Sequence, residues 1–111
     1  MTAPRKPSEI LEAAGDLLAM PGAWTQGAMA RNAGGQETGL SEYRGPAVCW
    51  CATGATGAIA YGEGDDQADE YLRKAIGQPS IVGWNDAIIR TQSEVVAAFR
   101  KAAALAREAG E

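Results

Sequence analysis

Apolar residues recur at helical spacing in three stretches of the chain. Ile10, Leu11, Ala14, Leu17 and Leu18 share one face of a segment that predicts a helix from Ser8 to Met20. Ser8 is its expected N-cap, and Pro21-Gly22 is its stop. Ala68, Tyr71, Leu72, Ala75 and Ile76 form a second stripe, on a helix capped by Asp65 or Asp66 and ended by Gly77. Val95, Phe99, Ala102 and Ala106 mark the last helix, which Thr91-x-x-Glu94 opens as a capping box and which runs to about Ala109. A further helix is predicted from Pro46, a residue suited to the first helical position, to about Tyr61. Its middle, Ala52 to Ala58, contains two glycines that cost about 1 kcal/mol each relative to alanine. The expected compensation is another backbone packed closely along that face, an Ala/Gly-lined helix contact.

The remaining stretches break the helical period. Trp24 to Leu40 holds Ala33-Gly34-Gly35 in its middle and predicts a loop followed by a β-hairpin, Met29–Asn32 pairing with Gln36–Leu40. A two-stranded hairpin is marginal alone, so it must pack on the helices. Gln78-Pro79-Ser80 is a connector, Ile81 to Asp86 a short apolar run ending in a polar corner, and Ala87 to Arg90 a single helical turn. The expected fold is α+β but mainly α: about four helices and one small hairpin, in a single domain over residues 1–111 whose first seven residues are flexible.

Composition narrows the function classes. Of 111 residues, 23 are alanine, and Leu, Ile, Val and Phe together number only 17, so the core is thin. Ten basic against 14 acidic residues leave a net charge of −4, which disfavours general nucleic-acid binding because that affinity rests on neutralising phosphates. No apolar run is long enough to span a bilayer and no secretory signal opens the chain, so a cytoplasmic protein is expected. There is no histidine, and Cys49 and Cys51 are the only cysteines, so neither a metal site nor any other cofactor is expected.

Candidate chemistry gathers around the tryptophans. Trp24, Trp50 and Trp84 are expected to share the core, each seeking a partner for its ring N–H, rather than to form a ligand cage. Asn85 and Asp86 admit two readings. In the functional one they edge a pocket with Arg90 or Arg31 opposite, gripping an anionic or amide-bearing ligand. In the structural one, Asn85 or Asp86 caps the turn leading to Thr91, and an arginine pairs with Asp86 to tie the hairpin to the last helix. Gln26 either serves a ligand or bonds the backbone of an irregular loop. Cys51 reads as a small buried thiol, since catalysis would need a base and the chain has no imidazole.

Trp24-Thr25-Gln26-Gly27 with Ala30-Arg31, then Cys51-Ala52 with Gly54-Ala55, then Trp84-Asn85-Asp86, then Arg90-Thr91 with Glu94-Val95, occur in that order. This series resembles an uncharacterised, domain-of-unknown-function family of small bacterial and phage proteins. The resemblance spans about Ile10 to Ala106 and implies no established activity; its phage association implies a host-interaction or counter-defence role. The expected function is therefore a non-catalytic intracellular binding module. Its partner is a host protein or a small molecule, met through Trp24, Gln26, Arg31, Trp84, Asn85, Asp86 and Arg90. The alternatives are a small enzyme with a pocket around Asp86, Arg90 and Cys51, and a structural homodimer.

Overall fold

The first and last helices lie against each other and carry most of the core. A computed structural model describes residues 5–39 and 46–111, and it places α1 at Pro7–Ala19 and α5 at Gln92–Glu108. They run antiparallel. At one end the Gln92 amide donates to the carbonyls of Leu18 and Met20 at 2.7 and 2.9 Å. At the other, the backbone N–H and the hydroxyl of Ser8 reach the carbonyl of Glu111 at 3.3 and 2.9 Å. Ile10, Leu11, Ala14 and Leu18 meet Val95, Phe99, Ala102 and Ala106 between those ends, and all eight are fully buried. Small residues let the helices close in, for a Cβ at Gly15 would lie only 3.2 Å from that of Phe99. Arg100 bridges to Asp16 at 2.8 Å along the rim, but both side chains are too exposed for the pair to add much.

The expected N-cap of α1, Ser8, is two residues late. Lys6 is the N-cap and Pro7 the first helical residue, while the Glu9 carboxylate accepts the Lys6 N–H at 2.9 Å. Ser8 is inside the helix, and its hydroxyl donates to the Glu111 carbonyl. Of the seven residues expected to be flexible, 1–4 lie outside the described residues. The third helix, α3 (Asp65–Ile76), buries Ala68, Tyr71 and Leu72 against α5 and ends at Gly77 as expected. Its N-cap is Gly64 at φ 118°, a conformation open to glycine, and not an aspartate. Asp65 instead accepts the N–H of Gly62 at 3.0 Å.

The larger correction concerns residues 46–51. The chain there forms β3 (Ala47–Trp50), and helix α2 is confined to Ala52–Ala60. Val48, Cys49 and Trp50 suit a pleated surface, and Pro46 stands just outside the strand, where its missing N–H does no harm. β1 (Ala30–Asn32) is the centre of a three-stranded antiparallel sheet, with β2 (Glu37–Thr38) on one side and β3 on the other. The hairpin of β1 and β2 is the expected one, although Leu40 falls outside the described residues. The third strand supplies the support that two strands lack. A short fifth helix, α4 (Ile81–Asn85), replaces the apolar run, capped by the Ser80 hydroxyl, which accepts the Gly83 N–H at 3.0 Å. Ala87–Arg90 is a turn closed by the Arg90 N–H on the Ala87 carbonyl at 2.9 Å.

The surroundings of Gly54 show why α2 tolerates a glycine there. A Cβ at Gly54 would lie 1.9 Å from the carbonyl oxygen of Met29, so the backbone preceding β1 presses directly on the helix. That same oxygen accepts the Cys51 N–H at 3.1 Å. The close neighbour expected from the sequence is therefore a loop backbone and not only a helix. Where α2 faces α3, the fully buried Thr56 donates its hydroxyl to Asp69 at 2.8 Å. Burial pushes the Asp69 carboxyl up to about 6; the Thr56 bond opposes the rise, and the charge of Asp65 adds to it.

Two outcomes test this architecture. Helix propensity alone would make Gly54→Ala stabilising by about 1 kcal/mol, whereas the Met29 contact makes it destabilising by roughly 2–4 kcal/mol. Thermal or urea melting reads the sign. The second concerns pH. Folded Asp69 holds its proton more tightly than an unfolded aspartate, whose pKa is about 3.9. Its contribution to stability is full below about pH 4 and is lost as pH rises through the folded value of about 6. Relative to Asp69→Asn, the parent protein should lose on the order of 1–2 kcal/mol between pH 4 and 7. Parallel pH profiles of the two proteins would overturn the assignment.

Candidate functional site

The loop after α1, the start of α2 and the end of α4 meet at one carboxamide. Asn85 is completely buried. Its Oδ1 accepts the indole N–H of Trp24 at 2.7 Å and the backbone N–H of Ala52, the first residue of α2, at 3.1 Å. Its Nδ2 donates to the Thr25 carbonyl at 3.1 Å and to Asp86 Oδ1 at 2.9 Å. Two acceptor and two donor positions are thus all occupied. The burial of a polar group here leaves nothing unsatisfied, and one N–H that α2 cannot bond internally is met.

The neighbouring side chains extend this network. Gln26 donates to the carbonyls of Asn85 and Ala87, both at 2.9 Å. Asp86 Oδ1 also accepts the Gly27 N–H at 3.1 Å. Arg31, on β1, donates to the Thr25 hydroxyl and to the carbonyls of Gln26 and Gly35, each at 3.2 Å. Arg90 lies 4.2 Å from the centroid of the Trp84 ring and donates to the Trp84 carbonyl at 2.9 Å. Its far end reaches Glu94 at 3.4 Å. The structure therefore brings all seven sequence-selected residues into one connected cluster. It does so by bonding them to one another and to backbone.

Three details differ from expectation. Neither Arg31 nor Arg90 meets Asp86, because carbonyl oxygens and the Trp84 ring already hold both guanidinium groups. Asn85 serves the first turn of α2, and not the turn leading to Thr91. Gln26 does bond backbone, but that of the α4 end and the turn after it. Thr91 and Glu94 form the expected capping box, with the Glu94 carboxylate accepting the Thr91 N–H at 3.0 Å. Trp84 is in the core, and Trp24 and Trp50 pack against it. Trp50 is gripped by the backbone on either side of Trp24, donating to the Ala23 carbonyl at 2.8 Å and accepting the Thr25 N–H at 3.0 Å.

Beside this cluster lies an open pocket of about 430 Å³ between the hairpin and α4. Ala28, Met29 and Val82 give it an apolar wall, while Glu37, Thr38 and Asp86 give it polar edges. Cys51, the N-cap of α2, is also in the wall; its Sγ accepts the Gly54 N–H at 3.3 Å and lies 3.3 Å from the Thr53 hydroxyl. Cys49, on β3, is a second free thiol, 3.9 Å from the Arg31 carbonyl. Thr38 is 7% exposed, and its Oγ1 is buried without a hydrogen-bond partner. Among the described residues no lysine or arginine lines this pocket, and no three acidic or thiol side chains converge as a metal site. Sequence reasoning singled out Asp86 and Cys51 but missed Met29, Glu37, Thr38 and Val82, which only the pairing of β2 with β1 and the placing of α4 bring to one cavity.

If Asn85 holds the junction, Asn85→Ala strands the Trp24 N–H and the Ala52 N–H in a buried site. A loss of about 3 kcal/mol or more is expected by denaturant melting. Asn85→Asp should be at least as harmful, since it removes both donors and sets a second carboxylate against Asp86. A near-neutral Asn85→Ala would show that the network is dispensable.

Neither the curated proteins nor the solved structures contain a match to this chain. A family model, described as a family of unknown function (DUF6197), matches residues 2–105. That span takes in α1, the sheet, the Asn85 cluster and nearly all of α5. The chain belongs to that family of unknown function.

Proposed function

We propose that this protein is a non-catalytic binding module that takes a small ligand in the pocket between the hairpin and α4. The observation that carries this reading is the division of labour at the site. Trp24, Gln26, Arg31, Asn85 and Arg90 are bonded internally and tie down the backbone beside the pocket, while the adjoining cavity of about 430 Å³, lined by other residues, is open. Ligand sites of this size are typically preformed, mostly apolar and supplied with a few fixed polar groups. A catalytic reading is less well supported. Arg90 does not line the pocket, and the Cys51 thiol has no imidazole to activate it anywhere in the chain.

A protein partner is the second reading, favoured by Ile88 and Ile89, which are 97% and 77% exposed on the turn that Gln26 secures. On the sequence grounds given above, either role would be played in the cytoplasm, and a phage-associated counter-defence task suits both. Native mass spectrometry of the gently purified protein separates the readings. A mass excess above multiples of 11.5 kDa is expected for the small-ligand reading. Protein that carries no adduct, and that loses a co-purifying partner on Ile88→Ser/Ile89→Ser substitution, would transfer the function to that apolar turn.

A further inference from the structure

The buried Thr56 hydroxyl carries one hydrogen and has two acceptors within reach. Asp69 Oδ1 lies 2.8 Å away on α3, and the carbonyl oxygen of Thr53, in the first turn of α2, lies 3.0 Å away. With Asp69 ionised, both of those groups can only accept, so a single hydrogen cannot serve them both fully. With Asp69 protonated the count closes. The acid O–H is then donated to Thr56 Oγ1, and the Thr56 hydrogen goes to the Thr53 carbonyl. The same oxygen positions thus support two hydrogen-bond patterns that differ by one proton.

The surroundings of Asp69 bring the proton-bound pattern within reach. The side chain is half-buried, and among the described residues Thr56 is the one hydrogen-bond donor that meets it. Burial raises its carboxyl to about 6, with the Thr56 bond opposing; Asp65 and Asp66 add to the rise. Arg73 opposes them from a guanidinium already bonded to Glu70 at 2.6 Å and to the Pro79 carbonyl at 3.1 Å. Of the elements packed on α3, α2 and α4 contain no charged side chain, and no charge on α1 or α5 is among those that shift Asp69.

We infer that Asp69 and Thr56 form a proton-operated latch between α3 and the first turn of α2, in which a proton added to Asp69 from solvent reverses the bond to Thr56 and closes Thr56 on Thr53. Loss of that proton returns the Thr56 hydrogen to the carboxylate and withdraws it from Thr53. The Thr53 hydroxyl lies 3.3 Å from Cys51 Sγ in the pocket wall, so the latch bears on the end of α2 that faces the pocket. The loss of stability expected with rising pH needs only a buried carboxyl. The latch requires in addition that the proton rearrange the hydrogen bonding of α2.

The test is an NMR titration of the isotope-labelled full chain between about pH 4 and 8, a range that contains the ordinary and the raised aspartate value. The Asp69 carboxyl carbon should titrate with a midpoint near 6. The Thr53 carbonyl carbon should follow with the same midpoint, moving downfield as the proton binds, the direction that a gained hydrogen bond gives. In Asp69→Asn, whose side-chain amide donates to Thr56 at every pH, the Thr53 signal should stay at its low-pH position. In Thr56→Val, Asp69 should still titrate while the Thr53 response shrinks severalfold. A Thr53 carbonyl that stays still or moves upfield as Asp69 gains its proton would overturn the latch, and that readout needs no variant to fold. An undiminished response in Thr56→Val would also overturn it, by showing that α2 senses the charge alone. So would an Asp69 midpoint near the ordinary aspartate value of about 3.9.

Discussion

A buried carboxamide has to satisfy four hydrogen-bonding positions at once, and in this protein that requirement fixes the meeting of three segments. Asn85 accepts from Trp24 and Ala52 and donates to Thr25 and Asp86. Each bond alone contributes modestly, about 1 kcal/mol, but any one left unmade inside the protein is expensive. The loop after α1, the first turn of α2 and the end of α4 therefore have a single mutual arrangement that costs nothing in unsatisfied groups. Gln26 and Arg31 repeat the same principle on a smaller scale, tying carbonyls of irregular backbone that no ladder reaches.

Such a polar junction suits a chain with few large apolar residues. The core has one Phe and a handful of Leu, Ile and Val residues, with alanine filling much of the rest. Alanine buries little area per residue, and glycine goes further in allowing close approach, as at Gly15 against the Phe99 side chain and at Gly54 against the Met29 backbone. Close approach restores packing density where side-chain bulk is lacking. The sheet and α2 are consequently held by backbone geometry and directed hydrogen bonds more than by interlocking side chains.

The same arrangement gives the pocket its character. Part of its wall, at Gly27, Cys51 and Asp86, lies on segments that the Asn85 network ties together, which lowers the ordering that a ligand would have to impose. Asp86 belongs to both: one oxygen serves the network and the other remains available.

Apolar spacing alone located α1, α3 and α5, although only the cap of α5 was legible, and the glycines located the hairpin turn at Ala33-Gly34-Gly35. Local spacing and glycine chemistry are sufficient for those elements, and the Thr91–Glu94 capping box fixes the start of α5. The sequence also singled out Trp24, Gln26, Arg31, Trp84, Asn85, Asp86 and Arg90, because polar residues in fixed company with tryptophan are unusual in so plain a chain. What those residues do was decided by tertiary structure alone. Whether residues 47–50 extend as β3 or coil as helix depends on β1 being there to pair with them. Whether Asn85 caps its own turn or the distant Ala52 depends on where α2 is placed, 33 positions away along the chain. The pocket is the extreme case: Met29, Thr38, Cys51 and Val82 carry no shared signal in sequence, and become neighbours because hydrogen bonds between remote segments fold their backbones to one place.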